Sequence, residues 1–263
     1  MPTLLELFCD FAAVKGLAAD SFLVGGTVRD MLLDRATRDI DIAVKGDTVE
    51  IGRSFADAVG GSFILLDADF GIVRVVNKNE TVDLCRMLGG SIMDDLANRD
   101  LTINAMAIPL QEINNAGISQ TALAEKLIDP FNGKHDLKYR IIRMVSEANL
   151  ISDPLRLLRI YRFAATLNFT VEVHTSAAVS THASLISDAA VERIAEELRH
   201  LLIVDDSYSS IREMEKNSLL LHLLPELTGF SPETQHLCCQ SYGYVEHIMR
   251  NLPLYFKTSS WLI

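Results

Sequence analysis

The chain has 263 residues, of which 49% are hydrophobic and 22% are charged, and this excludes a disordered or fibrous protein. The length predicts about two domains, and no apolar run approaches the roughly 20 residues that cross a membrane. The formal net charge of −11 excludes nucleic-acid binding through a generally basic surface, so any such contact has to be local.

Two features of the sequence predict the compartment. The first ten residues carry Glu6 and Asp10 and no basic flank, which is not typical of a secretory signal. The four cysteines show no CxxC spacing, so a zinc site is not expected. We therefore expect a protein of the reducing cytoplasm.

Helices and strands alternate in the predicted pattern from residue 1 to about 145, because apolar residues recur at helical spacing in some segments and form β-rich runs in others. Asp47 is a candidate N-cap for one helix, and Gly60-Gly61 is expected to end that helix. The predicted helices cover residues 4–17, 27–33, 48–59 and 93–105, and the predicted strands cover residues 21–24, 39–44, 62–66, 72–76, 81–85 and 127–129.

After about residue 148 the strand pattern disappears, and the sequence predicts only helices, over residues 153–167, 189–202, 209–224 and 233–252. The expected fold class is therefore α+β, with a mixed sheet and helices first and helices alone afterwards. The sequence ends on the apolar residues Trp261-Leu262-Ile263, from which we expect a truncated chain or a missing helical tail.

Asp39 and Asp41 are the first candidates for chemistry. Side chains alternate along a strand, so these two carboxylates share one face while Ile40 points to the opposite, buried face. Neighbouring carboxylates repel each other, and a hard cation such as Mg²⁺, commonly held by one or two carboxylates and substrate phosphates, offsets that repulsion. Two such ions could clamp an attacking hydroxyl and a leaving pyrophosphate.

Gly25-Gly26 joins the preceding strand to a helix and lets the backbone approach a triphosphate, with which Arg29 can pair. Taken alone, the two glycines can be an ordinary tight turn, and Asp39 and Asp41 can lie on a solvated edge strand. The order strand, glycine pair, helix, turn and aspartate pair favours the functional interpretation.

This first motif, within residues 24–43, resembles that of the class II tRNA nucleotidyltransferase and poly(A) polymerase family. Four further motifs follow in the order of that family, and the resemblance covers about residues 20 to 202. These motifs are Arg99–Ala107, Asp129–Leu137 with Ile142-Arg143, Asp153–Ala165 and Glu192–Leu198.

The resemblance implies an N-terminal nucleotidyltransferase head over residues 1–145, a helical neck over residues 146–205 and a helical body over residues 206–263 that grips RNA. It also implies roles for individual residues. Asp39 and Asp41 would be the catalytic metal ligands, and Gly26 and Arg29 would contact the nucleotide phosphates. Arg99 would contact the nucleotide, and Asp100 and Asn104 would shape its ribose side. Asp153 and Arg156 would read the incoming base, and Arg159 and Arg162 would complete the nucleotide pocket.

Asp153 and Arg156 also have an argument from hydrogen bonding. Residues three apart are neighbours on a helix, a carboxylate accepts hydrogen bonds, and a guanidinium donates them. Cytosine and adenine each present an amino donor beside a ring-nitrogen acceptor, whereas uracil and guanine present a carbonyl beside an N–H, so the pair suits C and A. The plain alternative is a helix start, with Asp153 as N-cap and Pro154 in the first turn.

Departures from the family pattern bear on the product. Asn98 stands where the family often has arginine, and Ser152 where it often has glutamate, so nucleotide affinity can differ. Residues 86–96 form a short connection where many members have a longer loop, and a short one accompanies partial synthesis of the CCA end. Asp83 is a candidate third carboxylate near the metal, and His135-Asp136 is interpreted as part of the third motif.

The expected function is template-independent addition of C, A or both to a tRNA 3′ end from CTP and ATP, with Mg²⁺ as cofactor. A poly(A) polymerase would share every motif and remains an alternative, although the last thirty residues contain only Arg250 and Lys257 as basic residues. A non-catalytic RNA-binding module is disfavoured by the intact Asp39, Asp41 and Arg99. A nucleotidyltransferase that acts on a protein or small molecule is disfavoured by the complete base-reading pair.

Overall fold

The computed structural model describes residues 2–36, 39–113, 123 and 125–251, without the side chains of residues 244 and 247–251. The chain divides into two compact units, Met1–Tyr139 and Arg140–Ile263. The finer division into head, neck and body at residues 145 and 205 stays a prediction.

Six strands form one mixed sheet in the first unit. They are β1 (Ser21–Val24), β2 (Asp39–Val44), β3 (Ser62–Asp67), β4 (Ile72–Asn77), β5 (Glu80–Arg86) and β6 (Ala107–Pro109). Their order in the sheet is β3-β4-β5-β2-β1-β6. β2 and β5 are parallel, and the other neighbouring pairs are antiparallel.

The helices of the first unit begin and end at recognisable signals. They include α1 (Leu4–Val14), α2 (Gly25–Leu32), α3 (Thr48–Val59), α4 (Ile92–Ala97) and α5 (Gly133–Tyr139). Asp47 accepts hydrogen bonds from the first turn of α3, and Gly60, at φ +63°, ends that helix, as the sequence predicts. Phe8 of α1 packs edge-on against Phe55 of α3, with ring centres 4.9 Å apart, and both side chains are fully buried.

The prediction of one helix over residues 93–105 is wrong. The α-helix ends at Ala97, and a 3-10 turn covers Thr102–Asn104. Leu101, Ile103 and Met106 are all fully buried, so this stretch lacks the solvent-facing side of an amphipathic helix.

The predicted strand over residues 127–129 is also wrong in form, because Ile128 makes only a single bridge to Ala107. Ala107 belongs to the short strand β6, which the sequence does not predict because its three residues are too few to show alternation.

The second unit is mostly helical and is organised around one buried helix. Its helices are α6 (Glu147–Ser152), α7 (Leu155–Leu167), α8 (Val173–His182), α9 (Val191–Leu202), α10 (Ser207–Lys216), α11 (Leu219–Leu223) and α12 (Pro232–Asn251). Side chains on several sides of α7 are fully buried, including Leu157, Leu158 and Tyr161. The α+β class expected from the sequence is confirmed.

Helices α6 and α8 are not among the predicted helices, and two further details of this unit differ from the sequence prediction. Strands β7 (Ile141–Ile142) and β8 (Thr170–Val171) pair in parallel, and at two residues each they are too short to show alternation. The predicted helix over residues 209–224 is broken at Ser218, whose φ of +60° lies in the left-handed region and separates α10 from α11.

Within the residues that the structure describes, none of the helices combines the length and apolar character needed to cross a membrane.

Candidate active site

The glycine pair at the start of α2 lies directly against charged side chains. A Cβ at Gly25, where φ is +63°, would lie 2.8 Å from Arg99 Nη1 and 3.5 Å from Asp41 Oδ2. A Cβ at Gly26 would lie 3.4 Å both from Arg29 Nη2 and from Asp41 Oδ2. The missing side chains therefore let the backbone approach one carboxylate and two guanidinium groups.

The strand that carries the two aspartates follows the predicted alternation. Ile40 is 6% exposed, Asp39 is exposed and Asp41 is partly exposed. The backbone N–H of Asp41 donates to Thr27 Oγ1 at 2.7 Å, which ties the strand to α2. Thr81 on β5 donates to the Asp39 carboxylate at 2.7 Å. The hydroxyl groups of Thr27 and Thr81 thus hold this pair from α2 and from β5.

A row of charged groups crosses three strands at this point. Asp41 lies opposite Asp83, which in turn lies opposite Arg74. Burial and then the Asp83 charge raise the pKa of Asp41 to about 6, against the opposing effect of the cations Arg99 and Arg29. The Arg74 guanidinium binds both oxygens of Asp83, at 2.7 and 2.8 Å. Asp83 is therefore near Asp41, as considered from the sequence, but is paired with an arginine.

Arg29 is held in place by two partners. Its Nε and Nη2 donate to the two carboxylate oxygens of Asp30, each at 2.9 Å, and its Nη1 donates to Asn104 Oδ1 at 2.9 Å. This fork geometry fixes the plane of the guanidinium.

Arg99 is anchored in a similar way. Its Nε and Nη2 donate to Asp95 Oδ2 at 3.1 and 2.8 Å, and its Nη1 donates to the Asn104 backbone carbonyl at 3.4 Å. The Asn104 amide in turn donates to Asp100 Oδ1 at 3.1 Å. Asp100, Asn104 and both arginines are therefore members of one connected polar network.

The residues present fit a divalent cation bound together with a phosphate substrate. Among the described residues, no group of three or more His, Cys, Asp or Glu side chains is arranged to hold a metal. Asp39 and Asp41 nevertheless offer hard oxygen donors, and one or two carboxylates plus phosphates are the usual surroundings of Mg²⁺. Burial and the Asp83 charge raise the pKa of Asp41, so a bound cation would stabilise its ionised form.

In the second unit, Asp153 lies between α6 and α7. Its oxygens accept hydrogen bonds from Arg193 of α9, from Nη1 at 3.3 Å and from Nη2 at 3.0 Å. The Nε of Arg156 lies 3.8 Å from Asp153 Oδ2, so the predicted neighbours on the chain are neighbours in space. The backbone of Asp153 is extended and that of Pro154 is helical, which agrees with the alternative of a helix start at Asp153, while the Asp153 side chain is bound by Arg193.

Arg159 and Arg162 converge on one buried acid. The Nη1 of Arg159 lies 3.1 Å from Glu197 Oε1, and the Nε of Arg162 donates to Glu197 Oε2. The Arg162 guanidinium also lies over the Phe163 ring, 3.9 Å from its centre. One carboxylate from α9 therefore fixes two arginines of α7.

The predicted site residues fall into two groups, one in each unit. The first group contains Gly26, Arg29, Asp39, Asp41, Arg99, Asp100 and Asn104, and the second contains Asp153, Arg156, Arg159 and Arg162.

The sequence prediction missed the partners that hold these side chains. Asp95 could have been found, since it lies four residues before Arg99 on the chain. Arg74, Arg193 and Glu197 come from other strands or helices, and their roles follow only from the folded structure.

Two family models match the chain. The model described as "Poly A polymerase head domain" matches residues 21–89 and 87–143. The model described as "Probable RNA and SrmB- binding site of polymerase A" matches residues 168–230.

Similar curated proteins carry related names. A CC-adding tRNA nucleotidyltransferase of Geobacter sulfurreducens is 41% identical over 199 residues, which are 75% of this chain and 43% of that protein. An A-adding tRNA nucleotidyltransferase of Deinococcus radiodurans is 39% identical over 210 residues, covering 78% of this chain and 45% of that protein. The chain thus spans about half the length of the curated relatives that it matches.

Solved structures agree with this. A Thermotoga maritima CCA-adding enzyme complexed with tRNA is 28% identical with a TM-score of 0.76, and the match covers 97% of this chain and 58% of that one. A tRNA nucleotidyltransferase complexed with a primer tRNA and an ATP analogue is 29% identical with a TM-score of 0.68, over 82% of this chain and 62% of that one.

The chain therefore belongs to the class II tRNA nucleotidyltransferase and poly(A) polymerase family, as its motifs predict. Within that family, its relatives named above are tRNA nucleotidyltransferases that add CC, A or CCA. Nucleotidyltransferases of this family generally use a divalent metal.

Proposed function

We propose that this chain is the catalytic part of a template-independent nucleotidyltransferase that adds C, A or both to the tRNA 3′ end from CTP and ATP. The observation that carries the proposal is the convergence of Asp41, Arg29 and Arg99 on the Gly25-Gly26 backbone. This is a cradle for a nucleoside triphosphate beside a carboxylate pair. The names of the relatives add the tRNA end as the acceptor.

In the proposed reaction, the 3′-hydroxyl oxygen of the RNA attacks the α-phosphorus of CTP or ATP. A phosphodiester bond forms, the bond between the α- and β-phosphates breaks, and pyrophosphate leaves. Asp39 and Asp41 would hold Mg²⁺. The bound cation would lower the pKa of the attacking hydroxyl and compensate the charge of the leaving pyrophosphate.

The other side chains of the first group position the nucleotide. Arg29 and Arg99 neutralise the triphosphate, and Asp30, Asp95 and Asn104 hold their guanidinium planes in advance. Because these partners already orient the arginines, little ordering is needed when the nucleotide binds.

The second group supplies selectivity in this proposal. Asp153 and Arg156 remain the predicted base-reading pair, and Arg159 and Arg162 the predicted remainder of the pocket. Residues 168–230, which match the RNA-binding family model, would bind the RNA. The same proposal includes a division into a head over residues 1–145, a neck over residues 146–205 and a body over residues 206–263. It also includes a cytoplasmic location.

The test uses three tRNAs that end before CCA, after C and after CC. Each receives labelled CTP, ATP or both with Mg²⁺, and products are resolved at single-nucleotide length. We expect addition that stops at a fixed CC, CCA or terminal A. The variant Asp39→Ala/Asp41→Ala should lose it, and Asp57→Ala, which removes an exposed carboxylate of α3, should not.

Other outcomes would replace the proposal. A long ladder of A residues identifies a poly(A) polymerase. RNA binding without incorporation on any of the three tRNAs contradicts the catalytic proposal and favours a non-catalytic RNA-binding module.

A further inference from the structure

We propose that Arg193 is a positioning residue that orients the Asp153 carboxylate for base selection. This inference rests on the proposed function and assigns a role to a residue outside the predicted site. Its basis is the fork between the two side chains, in which Nη1 and Nη2 each bind a different oxygen of Asp153.

The fork fixes what Asp153 can offer to a base. Each carboxylate oxygen has two acceptor positions, and Arg193 uses one on each oxygen. The plane of the carboxylate is thereby set, and each oxygen keeps a further acceptor position. An amino group of cytosine or adenine could donate a hydrogen bond to such a position. A carbonyl oxygen of uracil or guanine would instead be repelled by the carboxylate oxygen.

Arg156 is the competitor for the same carboxylate. Its Nε lies 3.8 Å from Asp153 Oδ2, beyond hydrogen-bond distance, while Arg193 Nη2 lies at 3.0 Å. Without Arg193, the carboxylate can turn towards Arg156 and form a closer pair with it. The two groups predicted to read the base would then bind each other.

The α9 helix provides a matched comparison. Arg199 also forms a fork, with Glu196 at 3.0 and 2.6 Å, and both side chains are 56% exposed. The Arg193–Asp153 pair has exposures of 55% and 28%. Exposed ion pairs of this kind contribute little to stability. A merely structural role therefore predicts that the two arginines behave alike.

The experiment measures equilibrium binding of CTP, ATP, UTP and GTP to the 263-residue chain in the presence of Mg²⁺. The variants are Arg193→Met, which keeps the apolar stem, and Arg193→Lys, which keeps the charge without the fork. Arg199→Met and Arg199→Lys are the controls. Thermal melting of each variant shows whether the fold is kept.

We expect Arg193→Met to weaken CTP and ATP binding by about tenfold, as loss of a charge-assisted hydrogen bond predicts, and to leave UTP and GTP nearly unchanged. The affinity of Arg193→Lys for CTP and ATP should lie between those of the unchanged chain and Arg193→Met. This variant decides the question if the methionine variant does not fold. In primer extension, the ratio of kcat/KM for CTP over UTP should fall by a similar factor, mainly through KM.

Two results overturn the inference in distinguishable ways. If the unchanged chain binds and discriminates nucleotides, but the Arg193 variants discriminate equally well or change no more than the Arg199 variants, Arg193 has no positioning role. If the unchanged chain binds no nucleoside triphosphate, the proposed function fails, and this inference fails with it.

Discussion

Carboxylates bind the arginines of both units, and in the first unit Arg99 also lies against a glycine backbone. In the first unit, Arg99 lies against the backbone of Gly25, where an added Cβ would approach its Nη1 to 2.8 Å. In the second unit, Arg162 of α7 is held by a side chain of another helix, Glu197 of α9. Arg99 therefore depends both on its ion pair with Asp95 and on the absence of a side chain at Gly25, whereas Arg162 depends on its ion pair with Glu197.

This difference predicts two kinds of sensitivity. Where an arginine lies against a glycine, a single added carbon displaces that arginine, because a Cβ at Gly25 would lie only 2.8 Å from Arg99 Nη1. Where a salt bridge between helices holds an arginine, a weaker partner can still bind that arginine, so a substitution of the partner has a graded effect.

The largest expected effect is that of Gly25→Ala. The new Cβ collides with Arg99 and sits on a residue with φ of +63°. Gly60→Ala is the control, since Gly60 has the same φ and a Cβ there meets nothing within 4 Å. Both variants should lose about 1 kcal/mol from the left-handed backbone. Only Gly25→Ala should also lower kcat/KM, by about a hundredfold from displacement of the cradle.

Urea unfolding and primer extension measure the two quantities. Equal activity of the two alanine variants would show that the contact between Gly25 and Arg99 has no functional weight.

A smaller, graded effect is expected for Glu197→Gln in the second unit. The amide keeps one acceptor but loses the charge that binds Arg159 and Arg162, so the free energy of unfolding should fall by about 2 kcal/mol. The neighbouring Glu196→Gln removes an exposed partner of Arg199 and should leave the melting temperature unchanged. Binding of CTP should weaken in the first variant alone. Equal melting temperatures would contradict a fixing role for Glu197.

The smallest expected effect concerns the protonation of Asp41. Asp83→Asn removes a like charge, so the pKa of Asp41 should fall below about 6 in the metal-free protein. Carbon-13 NMR of the carboxylates measures this, with Asp57→Asn as the control. A pKa of Asp41 that is unchanged or raised in the Asp83 variant would contradict this electrostatic account.

The sign for stability follows from the raised pKa. A carboxyl group whose folded pKa lies above its ordinary value of 3.8 stabilises the fold below pH 4, and this contribution is lost as the pH rises through about 6. In Asp83→Asn the free energy of unfolding that is lost between pH 4 and 6 should be smaller.

Much of the first unit could be predicted from the sequence because its signals are local. The alternation at Asp39, Ile40 and Asp41 fixes which side chains share a face, and Asp47 and Gly60 mark the ends of α3. Where burial is not one-sided, as in residues 101–106, periodicity gave a helix that does not exist.

The sequence indicated which residues of one motif lie close together, but it did not indicate which residues bind them. Gly26, Arg29 and Asp41 belong to one short motif, so the chain itself brings them together. Arg193 lies forty positions beyond Asp153, and no local pattern links the two. Such pairs depend on how the helices pack, which a single sequence does not reveal.

The position of β1 between β2 and β6 has a consequence for synthesis. This strand pairs on one side with β2, which follows closely, and on the other with β6, which ends at Pro109. The ribosome extends a chain by roughly 5–20 residues per second. One edge of β1 therefore stays unpaired for several seconds before β6 has been synthesised. Arg99 and Asn104 emerge in the same late interval. The contact of Arg99 with Gly25 and the hydrogen bond of Arg29 with Asn104 therefore form late in the synthesis of the first unit.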